Sequence, residues 1–178
     1  MDRKGRQRQV LPGLTGRDAR SLLGIYLNDH LAGATVGSER SRQLAAACRG
    51  SDLGAASAGL AGAIAEDRRT LVAIMRRLDQ PIRRYKVIAG LLGERVGRLK
   101  ANGSLVRRSP LSTLLELELL QIGVRGKQCL WEVLRSLADR ERRLDAAELD
   151  ELLERAQAQL RTVEELRERQ AARTFGGL

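Results

Sequence analysis

Between residues 18 and 172 the apolar side chains of this chain recur every three or four positions, in four long runs and one shorter one. That interval matches the 3.6 residues of one helical turn, so each run can gather its apolar groups on a single face only as a helix. Little interrupts the runs, because the three prolines stand at positions 12, 81 and 110. With one Trp, two Tyr and one Phe, the interior must be filled by Leu and Ala, which favour helix. The same scarcity argues against an aromatic-lined cofactor slot or a base-stacking platform. Helices of this kind gain most of their stability by packing their apolar faces together.

The first run extends from Asp18 to Cys48, with Leu23, Leu27, His30, Ala34, Gly37, Ser41 and Leu44 on one face. Gly33, Ala34 and Gly37 flatten part of that face and predict a closely approaching neighbour. Residues 49–59, rich in Gly, Ser and Ala, read as a connector or a weakly started helix. The second helix becomes firm near Leu60 and continues through Ile64, Leu71, Ile74, Met75 and Leu78. Asp79, Gln80 and Pro81 stop it, since proline disfavours helix in the preceding residue. The shorter run, from about Arg84 to Lys100, carries Val87, Ile88, Leu91, Leu92, Val96 and Leu99, and Asn102-Gly103 ends it. Ser109-Pro110 then supplies an N-cap followed by proline at the first helical position. The next helix runs from Leu111 to Ala138, with a bend placed near Gly123 and Gly126. Its apolar residues are Leu111, Leu114, Leu115, Leu119, Ile122, Leu130, Val133, Leu134 and Leu137. The last helix opens at Asp145, with Glu148 as capping-box partner, and buries Leu149, Leu152, Ala156, Leu160, Val163 and Leu166.

At 178 residues and 19.6 kDa, one domain is expected. Short connectors place sequential helices antiparallel. The expected fold is therefore all-α, an antiparallel four-helix bundle with an additional short helix in the long connection from Asp79 to Pro110. That connection is either a crossover or a capping hairpin. Residues 1–17 read as a flexible basic arm (Arg3, Lys4, Arg6, Arg8 and Arg17 against Asp2), 18–170 as the bundle and 171–178 as a frayed tail. The basic start lacks the apolar run of a signal peptide, and no stretch suggests an integral membrane segment. Cys48 and Cys129 stand in no CxxC arrangement, which fits a reducing, cytoplasmic setting.

Three titratable residues fall in register with core-facing stripes. His30, the single histidine, follows Leu23 and Leu27; Asp67 lies between Ile64 and Leu71; Glu118 lies between Leu115 and Ile122. An isolated buried charge is costly, so such groups need partners. Tyr26 and Arg68 are the expected donors at the edge of that polar set. Its bland reading is a hydrogen-bonded device that specifies the fold. Its sharper readings are general acid/base chemistry and a metal site in which His30, Asp67 and Glu118 hold a transition metal. No other cofactor is implied, and there is no P-loop, dinucleotide fingerprint or zinc-protease motif.

The net charge is +10, and much of the excess lies between residues 68 and 108. Arg76, Arg77, Arg83, Arg84, Lys86, Arg95, Arg98, Lys100, Arg107 and Arg108 form the expected basic surface, opposed there only by Asp79 and Glu94. Such a surface suits phosphate groups on nucleic acid or lipid, without base-specific recognition. The last helix instead mixes Glu148, Asp150, Glu151, Glu154, Glu164, Glu165 and Glu168 with arginines. That unevenness suits a protein partner or self-association.

The run Leu23 to Thr35, the segment Glu66-Asp67-Arg68, the stretch Gly97 to Gly103, Ser109 to Ser112 and Leu115 to Glu118 resemble an uncharacterised family of small actinobacterial helical-bundle proteins. The resemblance implies a bundle distantly related to ferritin-like proteins and brings no activity with it. The ferritin-like pattern of paired Glu-x-x-His motifs is not met, because Glu66 is followed at that spacing by Arg69, Glu116 by Leu119 and Glu118 by Gln121. The expectation is a non-catalytic structural or interaction protein. Its alternatives are a metal-binding or redox protein with an aberrant ferritin-like site, and a non-specific nucleic-acid-binding protein.

Overall fold

The computed structural model describes residues 16–51, 53–83 and 109–177. All regular structure among them is helical: α1 (Gly16–Ala47), α2 (Gly54–Arg77), α3 (Pro110–Leu137) and α4 (Ala146–Phe175). The run expected at 84–100, and the arm up to residue 15, lie outside the described residues. Arg17, expected in the arm, belongs to the first turn of α1.

Local chemistry sets most of the helix ends. Ser109 caps α3, its Oγ accepting from Ser112 N at 3.2 Å, with Pro110 in the first turn. Asp145 caps α4 by accepting from Ala147 N at 2.9 Å and Glu148 N at 3.3 Å. The Glu148 carboxylate accepts from Arg77 on α2. At the end of α2, Asp79 takes a left-handed φ of 53°, while Gln80 N reaches back to Met75 O at 2.9 Å and Asp79 N to Arg76 O at 3.1 Å. This is the closing motif usually completed by glycine, so the Asp79 backbone is strained.

Two boundaries are longer than the sequence suggests. Helix α2 begins at Gly54, ahead of the firm stretch expected from Leu60, so the weakly started helix is the alternative met; the alanines at 55, 56, 58 and 61 sustain it around the intervening glycines. Helix α4 continues to Phe175, where fraying was expected from residue 171. Gln170 fastens its end by donating to Pro110 O at 2.9 Å. Helix α3 passes Gly123 and Gly126 as one continuous helix.

The four helices pack together as a ring, α1 touching α2 and α3, and α4 touching α2 and α3. Two apolar clusters fill it. One gathers Leu27, Leu31, Leu71, Ile74, Trp131 and Leu149; the other gathers Leu44, Leu60, Ile64, Leu117, Leu120 and Val163. On α2, α3 and α4 the two clusters are separated by Asp67, Lys127 and Gln159 respectively, all in one layer.

Two packing expectations need correction. A Cβ built at Gly33 or Gly37 meets nothing within 4 Å, so no neighbour approaches closely there among the described residues. The close approach occurs at Gly24, where an added Cβ would lie 2.4 Å from Gln80 Oε1. On α3, Leu111, Leu115, Leu119, Ile122 and Val133 are exposed rather than buried. The inward face is Leu114, Leu117, Leu120, Val124, Gln128, Trp131 and Leu134. The helix carries apolar residues on opposite sides, so periodicity alone cannot choose the inner one.

Candidate functional site

Asp67, on α2, is 1% exposed and forms the centre of the interior polar layer. Its position between Ile64 and Leu71 carries it inward with the apolar stripe. Two neighbouring helices meet it with donors. Lys127 of α3 donates to Asp67 Oδ2 and to Gln159 Oε1, and Gln159 of α4 donates to Asp67 Oδ2 at 2.8 Å. Arg155, one turn before Gln159 on α4, bonds Glu66 Oε1 at 3.0 Å and places its Nε 2.9 Å from Asp67 Oδ1. That last contact is an ion pair whose direction is off hydrogen-bond geometry, so neither atom counts as hydrogen-bonded. Asp67 and Glu66 against Lys127 and Arg155 leave the set electrically balanced.

Burial shapes the electrostatics. Desolvation pushes the Lys127 ammonium below its ordinary pKa, while the Asp67 charge and hydrogen bond hold it up and the Arg155 charge lowers it further. The layer also has an unsatisfied neighbour. The Trp131 indole N–H, one turn beyond Lys127, is buried without a hydrogen-bond partner among the described residues.

The other expected ligands lie elsewhere. His30 is half-buried and packs edge-on against Tyr26 with ring centroids 4.5 Å apart. Desolvation lowers its pKa, against the opposing pull of Asp29. Glu118 lines an open groove between α3 and α4 with Gln121, Ile122, Arg125, Leu160, Arg161 and Glu164. Among the described residues no group of three or more His, Cys, Asp or Glu side chains could hold a metal ion. His30, Asp67 and Glu118 are therefore not brought together as one ligand set, and Asp67 already faces two cations. Of the expected edge donors, Arg68 gives its Nε to Thr35 Oγ1 at 2.9 Å, and Tyr26 packs beside the first apolar cluster. Lys127, Arg155 and Gln159, the actual partners of Asp67, went unread. Long polar side chains ordinarily mark a solvated face, and the signal was their place between stretches of core residues.

A second polar site closes one end of the bundle. Asn28, 1% exposed, donates to Gly24 O at 2.7 Å and to Pro81 O at 2.9 Å, and its Oδ1 accepts from Arg83 N at 2.7 Å. It fastens the segment after α2 onto α1. Arg17, Arg20 and Arg83 border the adjoining cavity of about 310 Å³. Of the expected basic surface, Arg76 is exposed, Arg77 is engaged by Glu148 and Arg83 lies at this cavity. Arg84, Lys86, Arg95, Arg98, Lys100, Arg107 and Arg108 lie outside the described residues.

No protein family, curated protein or solved structure matches this chain. No helix among the described residues is long and apolar enough to cross a membrane.

Proposed function

We propose that this chain is a non-catalytic interaction protein, an antiparallel bundle whose interior charges hold the helices in register and whose outward α3 face meets a protein partner. The observation that carries this reading is the contrast between the two. Asp67 is paired with Lys127, Gln159 and Arg155 of the same chain, whereas Leu115, Leu119 and Ile122 are 49%, 50% and 69% exposed. The antiparallel arrangement is supported by cross-helix pairs that run in opposite order along α3 and α4: Pro110 with Gln170, Gln121 with Glu164, Lys127 with Gln159, Arg135 with Asp150. Distant ferritin-like ancestry is compatible with this arrangement and adds no chemistry to it.

A photo-crosslinking residue at position 122, compared with one at exposed position 62 on α2, tests the interface in cells. The expected result is an adduct from position 122 that disappears when Leu119 is changed to Lys. Absence of any adduct overturns the interface. A stoichiometric transition metal in tag-free protein that is lost with Asp67→Asn overturns the non-catalytic half.

A second reading, phosphate binding, is favoured by Arg17, Arg20 and Arg83 around one cavity. It predicts association with duplex DNA that falls steeply as salt rises and weakens when all three become Gln. No binding at low salt removes it.

A further inference from the structure

The outward face of α3 has a finer pattern than exposure alone. Leu115, Leu119, Ile122, Gly126, Cys129 and Val133 follow one another at intervals of four, three, four, three and four. This is the alternation of a two-stranded helical seam, in which such positions form a stripe facing a second helix. Here the four large residues of the stripe are 40% to 69% exposed. The two glycines of α3 deepen the puzzle. Glycine inside a helix costs roughly 1 kcal/mol relative to alanine, yet a Cβ built at Gly123 or Gly126 meets nothing within 4 Å. Nothing described within the chain accounts for a missing side chain at Gly126.

The charges beside the stripe identify what does. Glu118 and Arg125 lie on the α4 side of the seam, one residue before Leu119 and Gly126 respectively. Arg125 is held along the helix by its bond to Gln128 Oε1 at 2.7 Å, with a long, exposed ion pair to Glu132 at 3.9 Å. When two such seams meet head to tail about a two-fold axis, positions of opposite phase oppose one another. Leu119 then faces Ile122 of the other copy, Leu115 falls into the gap left by Gly126 of the other copy, and Glu118 comes beside Arg125 of the other copy. Each contact occurs twice, as a self-complementary interface requires. A parallel pairing would set Gly126 against Gly126 and keep Glu118 away from Arg125.

We infer that the α3 partner is a second copy of this chain, joined through an antiparallel α3–α3 seam centred between Leu119 and Ile122. The inference rests on the α3 interface proposed above and names its occupant. Sedimentation of the full chain should show a dimer that Leu119→Lys with Ile122→Lys converts to a monomer of unchanged helicity. Glu118→Arg alone, or Arg125→Glu alone, should each weaken the dimer by about tenfold, since each exchanges two attractions for two repulsions. Mixing those two single variants should restore association, and so should both changes in one chain. Wild-type protein that stays monomeric up to about 100 µM, or a dimer indifferent to the Lys pair or the charge exchange, overturns the inference. A monomer that still gives a position-122 adduct with a different protein overturns the second copy and leaves the interface standing. A monomer with no adduct overturns both.

Discussion

Asp67 and Ile122 depart from the usual distribution of polar and apolar groups in opposite directions. The carboxylate is 1% exposed inside the bundle, and the isoleucine is 69% exposed on its surface. The two regions differ in how their needs are met. The interior charge is answered from two neighbouring helices by groups of the same chain, whereas the surface stripe finds nothing comparable among the described residues. Helix α3 serves both: Lys127 reaches inward to Asp67, while adjacent Gly126 lies on the outward seam. A closed polar interior points to a role in specifying the fold, and an open apolar exterior points to binding.

The largest expected effect comes from opening the closed region. Asp67→Leu leaves Lys127 in the interior without its anion, while Arg155 keeps Glu66, and it should destabilise the fold by about 3–5 kcal/mol in urea unfolding. Replacing Asp67, Lys127 and Gln159 together by Leu, Met and Leu should recover most of that loss, because an apolar layer carries no desolvation cost. A single variant within about 1 kcal/mol of wild type would show that the layer is better hydrated than its burial indicates.

Adjacent leucines on α3 give the next contrast. Leu120 is 3% exposed beside Leu117 and Val124, while Leu119 is 50% exposed. Leu120→Ala should cost about 2–5 kcal/mol through lost burial and the cavity left behind. Leu119→Ala should cost no more than about 0.5 kcal/mol when unfolding is measured on the monomer. Equal costs would mean that the outward stripe is covered within the chain.

Gly126→Ala sharpens the same comparison with a smaller change. The added methyl meets nothing within 4 Å among the described residues, so the helix should gain about 0.5–1 kcal/mol of stability. If Gly126 is the gap that receives Leu115 of a second copy, the same methyl should weaken association. Stability and association would then move in opposite directions in one variant. Tighter association with Gly126→Ala would remove the role given to that glycine.

The legible parts of this molecule were those where one physical cue acted alone. Ser109-Pro110 and Asp145 marked helix starts because a capping oxygen and a fixed φ need no distant partner. Asp67 was readable as interior because its stripe on α2 has apolar residues on one side only. Helix α3 misled because Leu115, Leu119 and Ile122 form a second stripe opposite the first, and Glu118 was assigned to the wrong one. Gly33 and Gly37 misled because small residues permit close packing without requiring it, and the neighbour that does come close meets Gly24. Lys127 and Arg155 stayed hidden because their interior position depends on an anion from a third helix, which no local pattern contains.

His30 lies between the two regimes, half-buried on α1 against Tyr26, and gives the smallest effect. Desolvation holds its pKa below the ordinary 6.5, only partly offset by Asp29. In the window between the lowered folded value and 6.5 the unfolded chain binds more protons at this residue, so stability must fall as pH falls through it. Its contribution is fully present above the unfolded value and is lost on acidification. Urea midpoints measured from about pH 7.5 to about pH 5 should therefore decline more steeply for wild type than for His30→Gln, with the two curves closest above neutrality. The same variant should leave the α3 association unchanged at neutral pH, since His30 takes no part in the seam. If the two slopes coincide, His30 is as well solvated when folded as when unfolded, and the boundary of the closed interior lies deeper than residue 30.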